Sequence, residues 1–243
     1  MDAVASLMAA LVLSAAYAGG RWLTPAKGAE QRWISMAAGV SVAYVFVDVL
    51  PELAIQNQAI VAASGSEPLL FAEQRIYVLA LMSFVVLYGI EHLVLAARAQ
   101  RGGVAEAAAK HTIYALHVGG FAAYSALIGY LLSERAERGH VALTVYAIAM
   151  AVHFLIVDHA LFEQHGKRYA SAGRWALVAS VLGGAVFGVV TSLSDVVFAR
   201  LFALLAGGVV VTSLRAELPD ERDGRFWPFC LGAAIFAVVL FFA

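Results

Sequence analysis

Eight apolar runs, each long enough to cross a lipid bilayer as a helix, dominate this sequence of 243 residues. A membrane-spanning helix needs about 20 mostly apolar residues. We predict spans at about 3–20, 34–52, 76–97, 112–132, 142–162, 174–191, 195–214 and 226–243. Eight such spans use about 160 residues and leave only short connections. The sequence therefore predicts an all-α, polytopic membrane bundle of eight helices that forms a single transmembrane domain, 1–243.

The composition agrees with a chain that lies mostly in lipid. It is 62% hydrophobic and 14% charged, with a formal net charge of −1, whereas a soluble domain is about 25% charged. These values exclude a soluble globule, a basic nucleic-acid binder and a disordered chain, so we expect the lipid bilayer as a partner and no nucleic acid. The single cysteine, Cys230, also excludes an internal disulfide framework and a thiolate zinc cluster.

Basic residues collect on alternate connections of the predicted bundle. The loops after the first, third, fifth and seventh spans hold three each, which is twelve of the sixteen Lys and Arg. The other four are Arg75, Arg135, Arg138 and Arg200. Because short loops rich in Lys and Arg stay in the cytoplasm, we predict that both termini lie on the non-cytoplasmic side of a bacterial inner (plasma) membrane. Residues 16–18 (AYA) are typical of a signal-peptidase site, but no basic segment precedes them, so we count the first span as retained.

Acidic side chains inside the spans are functional candidates, because an ionisable group at bilayer depth costs about 2.5–3.5 kcal/mol to insert. Asp48 and Glu52 are four residues apart on one face of the second span, near its predicted outer end. Two interpretations stay open: they form an acidic entrance for cations, or Asp48 satisfies a neighbouring helix and Glu52 is interfacial. Glu91 and His92 lie near the predicted cytoplasmic end of the third span.

Two histidines, His117 and His153, lie at similar depths on consecutive antiparallel spans. A lone buried histidine is usually just hydrogen-bonded, but two at matching depth can bind one metal ion. Their spacing is also compatible with a bis-histidine haem. His153 and Asp158 diverge by about 140° around a straight helix, which disfavours their binding one cation, whereas His159 and Glu163 share a face.

Sequence motifs for enzymatic chemistry are absent, so we do not expect an enzyme. The chain has no G-x-S-x-G, no P-loop and no G-x-G-x-x-G motif. All three lysines lie in predicted loops, which excludes an intramembrane Schiff base. Of the seven histidines, His111, His140 and His165 lie outside the predicted spans, and too few remain for a membrane di-iron oxygenase.

Two segments resemble the ZIP (zinc/iron-regulated transporter-like) family of divalent-metal transporters. AGVSVAYVFVDVLPELA (38–54) is similar to the second helix of that family, which ends in His/Asp-Leu-Leu-Pro-Glu. LLAGGVVVTSLRAELPDE (204–221), with Glu217, Pro219 and Asp220, resembles the penultimate helix. Eight spans with both termini outside also fit the family. The resemblance covers nearly the whole chain and implies a ZIP-transporter-like bundle.

The metal motifs of the ZIP family are only partly present. Family members carry His-Asn-x-Pro-Asp/Glu-Gly on the fourth helix and His-Asp/Glu-x-Pro-His/Glu-Glu/Gly on the fifth, which together build a two-metal centre. His117 and His153 match the leading histidines, whereas the amide and acid positions hold Val118, Phe121, Phe154 and Val157. The resemblance therefore implies a degenerate site for one divalent cation, zinc, iron or manganese. The implied residues are His117, His153, Asp158 and His159 at the centre, Asp48 and Glu52 at the entrance, and Glu91, His92 and Glu163 at the exit.

Three functions of different classes are open at this point. The first is ZIP-like binding or transport of a divalent metal cation. The second is a transport-inactive ZIP-fold subunit, a structural or regulatory partner in a membrane complex that packs through glycine-rich helix faces. The third, which we rank last, is a redox module with haem between the two histidines. The sequence leaves the identity of a protein partner and the possibility of a homo-oligomer open.

Overall fold

A computed structural model describes residues 2–23, 30–63, 74–99, 104–213 and 226–242. These residues contain no strand and form nine helices. The helices are α1 (Asp2–Leu23), α2 (Glu30–Tyr44), α3 (Leu50–Ala63), α4 (Arg75–Ala99), α5 (Val104–Glu137), α6 (His140–His165), α7 (Arg174–Val190), α8 (Asp195–Thr212) and α9 (Phe226–Phe241). Two π-helical turns, Val45–Val49 and Tyr169–Gly173, precede α3 and α7. The predicted all-α class is confirmed.

Seven helical stretches within the described ranges are long and apolar enough to cross a membrane. They are Asp2–Gly20, Arg32–Gln58, Arg75–Ala96, Lys110–Glu137, His140–His165, Tyr169–Val190 and Asp195–Thr212. The eighth predicted span corresponds to the shorter apolar helix Phe226–Phe241. The fold is thus a helical bundle with the length and composition of a membrane protein.

Several helices extend beyond the predicted apolar spans. The second helical path continues from Glu30 through α3 to Ala63, where we predicted a connection after residue 52. Helix α6 reaches His165, so this residue, placed outside the spans by its sequence, belongs to a helix. The backbone hydrogen bonds of a membrane-spanning helix can continue beyond the hydrocarbon core of the bilayer, whereas hydropathy identifies only the apolar part of the helix.

The π-helical turn Val45–Val49 has a local cause in Pro51. Proline has no N–H to donate, and its ring clashes with the carbonyl four residues earlier. The Leu50 N–H bonds to the Val45 carbonyl, five residues back, which inserts one extra residue into the turn. The inserted turn carries Asp48, one of the predicted site residues.

The helices pack as two groups. In the first group, α5 packs against α7, and α1 packs against α5, α6 and α7. In the second group, α2 packs against α9, and α8 packs against α3 and α4. The two groups meet mainly where α4 contacts α5 and where α2 contacts α6.

Glycines bring helix backbones into contact inside each group. A Cβ atom on Gly184 of α7 would collide with the Ala126 carbonyl of α5, and one on Gly39 of α2 would collide with the Phe229 carbonyl of α9. Gly207 lets α8 approach α4 in the same way. Small residues permit this close approach in lipid, where packing drives helix association. Each glycine in the described ranges that meets a neighbouring helix backbone in this way joins two helices of one group.

Candidate functional site

A cavity of about 260 Å³ lies between the two helix groups, towards the end of the bundle where α6 leads into α7. Its walls come from α4 and α8 of the second group and from α5 and α6 of the first. The apolar lining residues are Leu87, Leu95, Phe121, Val157, Ala160, Leu161 and Val211. The polar ones are Glu91, His117, Gln164 and Thr212. A mainly apolar cavity with a few converging polar groups is the usual form of a ligand site.

His117 is the centre of the polar part of this cavity, and its side chain is only 3% exposed. Its Nδ1 lies 2.8 Å from Nε2 of His165 on α6, and its Nε2 lies 2.9 Å from Oε2 of Glu91 on α4. The Nε2 contact is close but lacks the alignment of a hydrogen bond. Two ring nitrogens at hydrogen-bond distance share one proton. When His117 donates that proton from Nδ1, its Nε2 carries a lone pair that faces the Glu91 carboxylate.

Gln164 supplies a second buried atom that forms no hydrogen bond. Its Nε2 donates to Oε1 of Glu91 at 2.7 Å, whereas its Oε1 is buried and has no hydrogen-bond partner among the described residues. Buried polar atoms without a partner are rare in folded proteins and call for an explanation. Two of them, His117 Nε2 and Gln164 Oε1, belong to residues that line the same cavity as Glu91.

The second predicted histidine, His153, lies apart from His117. It is 1% exposed, and its Nε2 lies 3.3 Å from the Tyr124 hydroxyl. The ring centroids are 5.2 Å apart for His117 and Phe121, 6.4 Å apart for Phe121 and Tyr124, and 5.8 Å apart for Tyr124 and His153. The rings of Phe121 and Tyr124 thus lie along the path between the two histidines.

Asp158 is engaged by a buried arginine and a tyrosine. Arg174 donates to both carboxylate oxygens at 2.8 Å, and the Tyr169 hydroxyl donates to Oδ1 at 2.7 Å. Tyr169 and Arg174 are five residues apart, and the π-helical turn between them brings such residues onto one face. The structure therefore places Asp158 and His153 in different environments on α6.

Both predicted entrance acids contact arginines of the first group. Arg135 donates to Asp48 at 2.9 Å, and Arg138 donates to both oxygens of Glu52 at 2.6 and 2.8 Å. These hydrogen bonds raise the pKa of the Arg138 guanidinium above its usual value. Gln56 Nε2 also donates to Glu52 at 2.7 Å. The pair that the sequence suggests as an acidic entrance is charge-balanced here.

The remaining predicted site residues lie nearer the surface. His92 and Glu163 are exposed on α4 and α6, and His159 is partly buried beside Asp158. Glu217 and Asp220, which belong to the family resemblance, lie outside the described residues. Within the described ranges, no group of three or more His, Cys, Asp and Glu side chains is arranged to hold a metal ion.

The predicted site residues lack Gln164, which lines the cavity, and His165, which contacts His117. The sequence places His165 outside the predicted spans, and a glutamine in an apolar helix is not a distinctive signal. Helical spacing could have identified Gln164, because Val157, Leu161 and Gln164 recur at intervals of four and three on one face of α6.

No family model matches the sequence, and no curated protein and no solved structure matches it either.

Proposed function

We propose that this is an integral membrane protein that binds a divalent cation, zinc, iron or manganese, in the cavity between its two helix groups. One observation carries the proposal: the two buried atoms without a hydrogen bond, His117 Nε2 and Gln164 Oε1, flank the Glu91 carboxylate at one cavity. A cation bound by all three side chains would satisfy both atoms at once. In a carrier, this cation is the substrate.

The donor set fits a borderline divalent ion. Imidazole nitrogen suits zinc and iron, and carboxylate and carbonyl oxygens suit manganese. Zinc bonds of 2.0–2.2 Å in a tetrahedral arrangement separate two ligand atoms by about 3.3 Å. His117 Nε2 and Glu91 Oε2 are 2.9 Å apart, so a small outward shift makes room for the ion. Water would complete the coordination sphere.

His165 is suited to orient His117 rather than to bind the ion. A metal-binding histidine almost always donates its other N–H to an acceptor, which fixes the tautomer and the ring orientation. The 2.8 Å contact between His117 Nδ1 and His165 Nε2 provides this arrangement. The cation then meets the deprotonated Nε2.

The broader proposal is a ZIP-like bundle with both termini outside the cytoplasm of a bacterial inner membrane. The seven long apolar helices and the shorter α9 support eight spans, and the basic loops support the orientation. His117, the leading histidine of the resemblance, lines the cavity. Reporter fusions at each terminus, one active only in the cytoplasm and one only outside, test the orientation. Cytoplasmic activity at both termini would contradict it.

A second candidate function is a transport-inactive structural or regulatory subunit. The observation that favours it is that Asp48, Glu52 and Asp158 each bind an arginine. Acids with arginine partners are not available to a passing cation without rearrangement. In this function the protein co-purifies with a membrane partner and binds no metal.

Metal content of the detergent-purified protein, measured by mass spectrometry after incubation with each metal, separates the two candidates. We expect about one ion per chain, lost in His117→Ala and in Gln164→Leu. His165→Ala should weaken the affinity by about 10–100-fold, as removal of an orienting group does. The matched controls are His92→Ala, an exposed histidine on α4, and Gln56→Leu, a buried glutamine far from the cavity.

The variant His153→Ala distinguishes the cavity from the centre suggested by the family resemblance. We expect unchanged metal binding, because His153 faces Tyr124. Loss of the ion in His153→Ala with retention in Gln164→Leu would contradict the cavity site. A folded protein that binds no metal would refute the proposed function and favour the second candidate.

A further inference from the structure

Four charged side chains join the two helix groups at the end of the bundle where α5 leads into α6. Asp48 and Glu52 come from the α2–α3 path of the second group, Arg135 comes from the last turn of α5 in the first group, and Arg138 lies in the turn between α5 and α6. We call these four residues the latch. They are far along the helices from the cavity that contains His117.

The contacts of the latch are close and specific. Arg135 lies 2.9 Å from Asp48, and its side chain is 9% exposed. Arg138 binds both oxygens of Glu52, and the Glu52 side chain is 8% exposed. A bidentate arginine–carboxylate contact fixes the relative orientation of the guanidinium and the carboxylate as well as their distance.

Among the described residues, the interface between the two groups lacks the glycine-mediated backbone contacts found inside each group. Inside the groups, glycines bring backbones together, whereas a Cβ atom on Gly208 of α8 would meet side chains, Tyr124 of the first group and Leu87 of the second. A second cavity, of about 360 Å³, lies beside the latch and is lined by Gln56 of the second group and Ser133 of the first. Packed interfaces of this kind can adopt two discrete arrangements when the groups themselves stay rigid.

We propose that the latch holds the two groups together at this end and that breaking its ion pairs opens the buried wall of the second cavity, at Ser133, to water. With the latch closed, Asp48 and Glu52 bind arginines instead of cations. With the latch open, both acids and the cavity wall near Ser133 become accessible. This inference rests on the contacts between the groups and is independent of metal binding.

Thiol accessibility at Ser133 tests the latch. The Ser133 hydroxyl is buried, and Cys is close to Ser in size. In the background Cys230→Ser, a cysteine introduced by Ser133→Cys is the only thiol of the chain. We expect slow reaction with a charged, membrane-impermeant thiol reagent. Adding Arg138→Glu should raise the rate about tenfold, between the effects expected from an exposed and a buried ion pair.

The charge swap provides the decisive control. Glu52→Arg combined with Arg138→Glu restores an ion pair with reversed polarity, so the reaction rate should return to within about twofold of the parent. Arg200→Glu, an equal charge reversal at an exposed position of α8, should leave the rate unchanged. Arg138→Gln removes the charge without reversing it and should also raise the rate, which keeps the test available if Arg138→Glu does not fold.

Two results would overturn the proposal. One is an unchanged reaction rate in Arg138→Gln and in every folded variant that breaks the pair. The other is a raised rate that the charge swap does not reverse, since the effect would then come from the substitutions and not from the ion pair. The thiol reaction rate can be measured without a bound metal, so this experiment tests the latch independently of the cation site.

Discussion

Substitution of Asp158 should destabilise the bundle strongly, because its partner is a buried arginine. The carboxylate is 2% exposed and the Arg174 side chain 6% exposed. Asp158→Asn keeps the shape of the side chain but leaves the guanidinium without a counter-charge. Because an uncompensated buried charge costs far more than the loss of one hydrogen bond, we expect the largest single-residue effect in the first group here.

The magnitude follows from the burial of both groups. Removing one partner of a buried ion pair costs about 3–5 kcal/mol, whereas replacing both with apolar groups of similar volume is often neutral or stabilising. A loss of about 3–5 kcal/mol lowers the folding equilibrium constant by about two to nearly four orders of magnitude. The double variant Asp158→Leu/Arg174→Met should recover most of this loss, since Leu has the same branching as Asp.

Reversible unfolding in mixed micelles, followed by tryptophan fluorescence, measures these differences. Asp195→Asn, a change at an exposed position of α8, is the matched control and should cost less than about 1 kcal/mol. An Asp158→Asn variant within about 1 kcal/mol of the parent would refute the reasoning. A double variant at least as unstable as Asp158→Asn would also refute it, since the loss would then come from packing.

Two further predictions concern packing and a buried hydrogen bond. Gly184→Val should destabilise the protein by about 1–3 kcal/mol, as overpacking does, because the new side chain would meet the Ala126 carbonyl. The adjacent Gly183→Val places its side chain in open space and should be nearly neutral. Equal melting temperatures of the two variants would contradict the α5–α7 contact. The Tyr17 hydroxyl lies 3.0 Å from the Ser125 hydroxyl, and both residues are fully buried. Tyr17→Phe should lower the free energy of unfolding by about 0.5–1.5 kcal/mol. A double-mutant cycle with Ser125→Ala should show a coupling energy between the two substitutions. Additive effects would mean that this hydrogen bond contributes nothing to stability.

Hydropathy alone was sufficient to predict the helical fold class and the approximate positions of the apolar helices. It is a local property, and a run of about 20 apolar residues has few alternatives to a helix in lipid. Helix ends were less predictable, since α3 continues to Ala63, beyond the predicted end of the second span at residue 52. The family resemblance and the orientation of the termini stay predictions.

The ion pairs could not be predicted because they depend on which helices become neighbours. Glu52 and Arg138 are 86 residues apart, and nothing in the local sequence of either residue identifies the other. The cavity was partly predictable: His117 was selected for its depth in the span, whereas its contact with Glu91 requires the packing of α4 against α5. The separation of His153 from His117 likewise depends on the two aromatic rings between them.

The distances along the chain between paired charges also set an order of events during synthesis. A ribosome adds about 5–20 residues per second, so Arg174, 16 residues after Asp158, follows it within about 1–3 s. Arg138 follows Glu52 only after about 4–17 s, because 86 residues separate them. During that delay the growing chain carries the acids of the second helical path without their arginines. Asp158 receives its counter-charge at the start of α7, whereas Asp48 and Glu52 receive theirs only after the end of α5 and the turn that follows it have been synthesised.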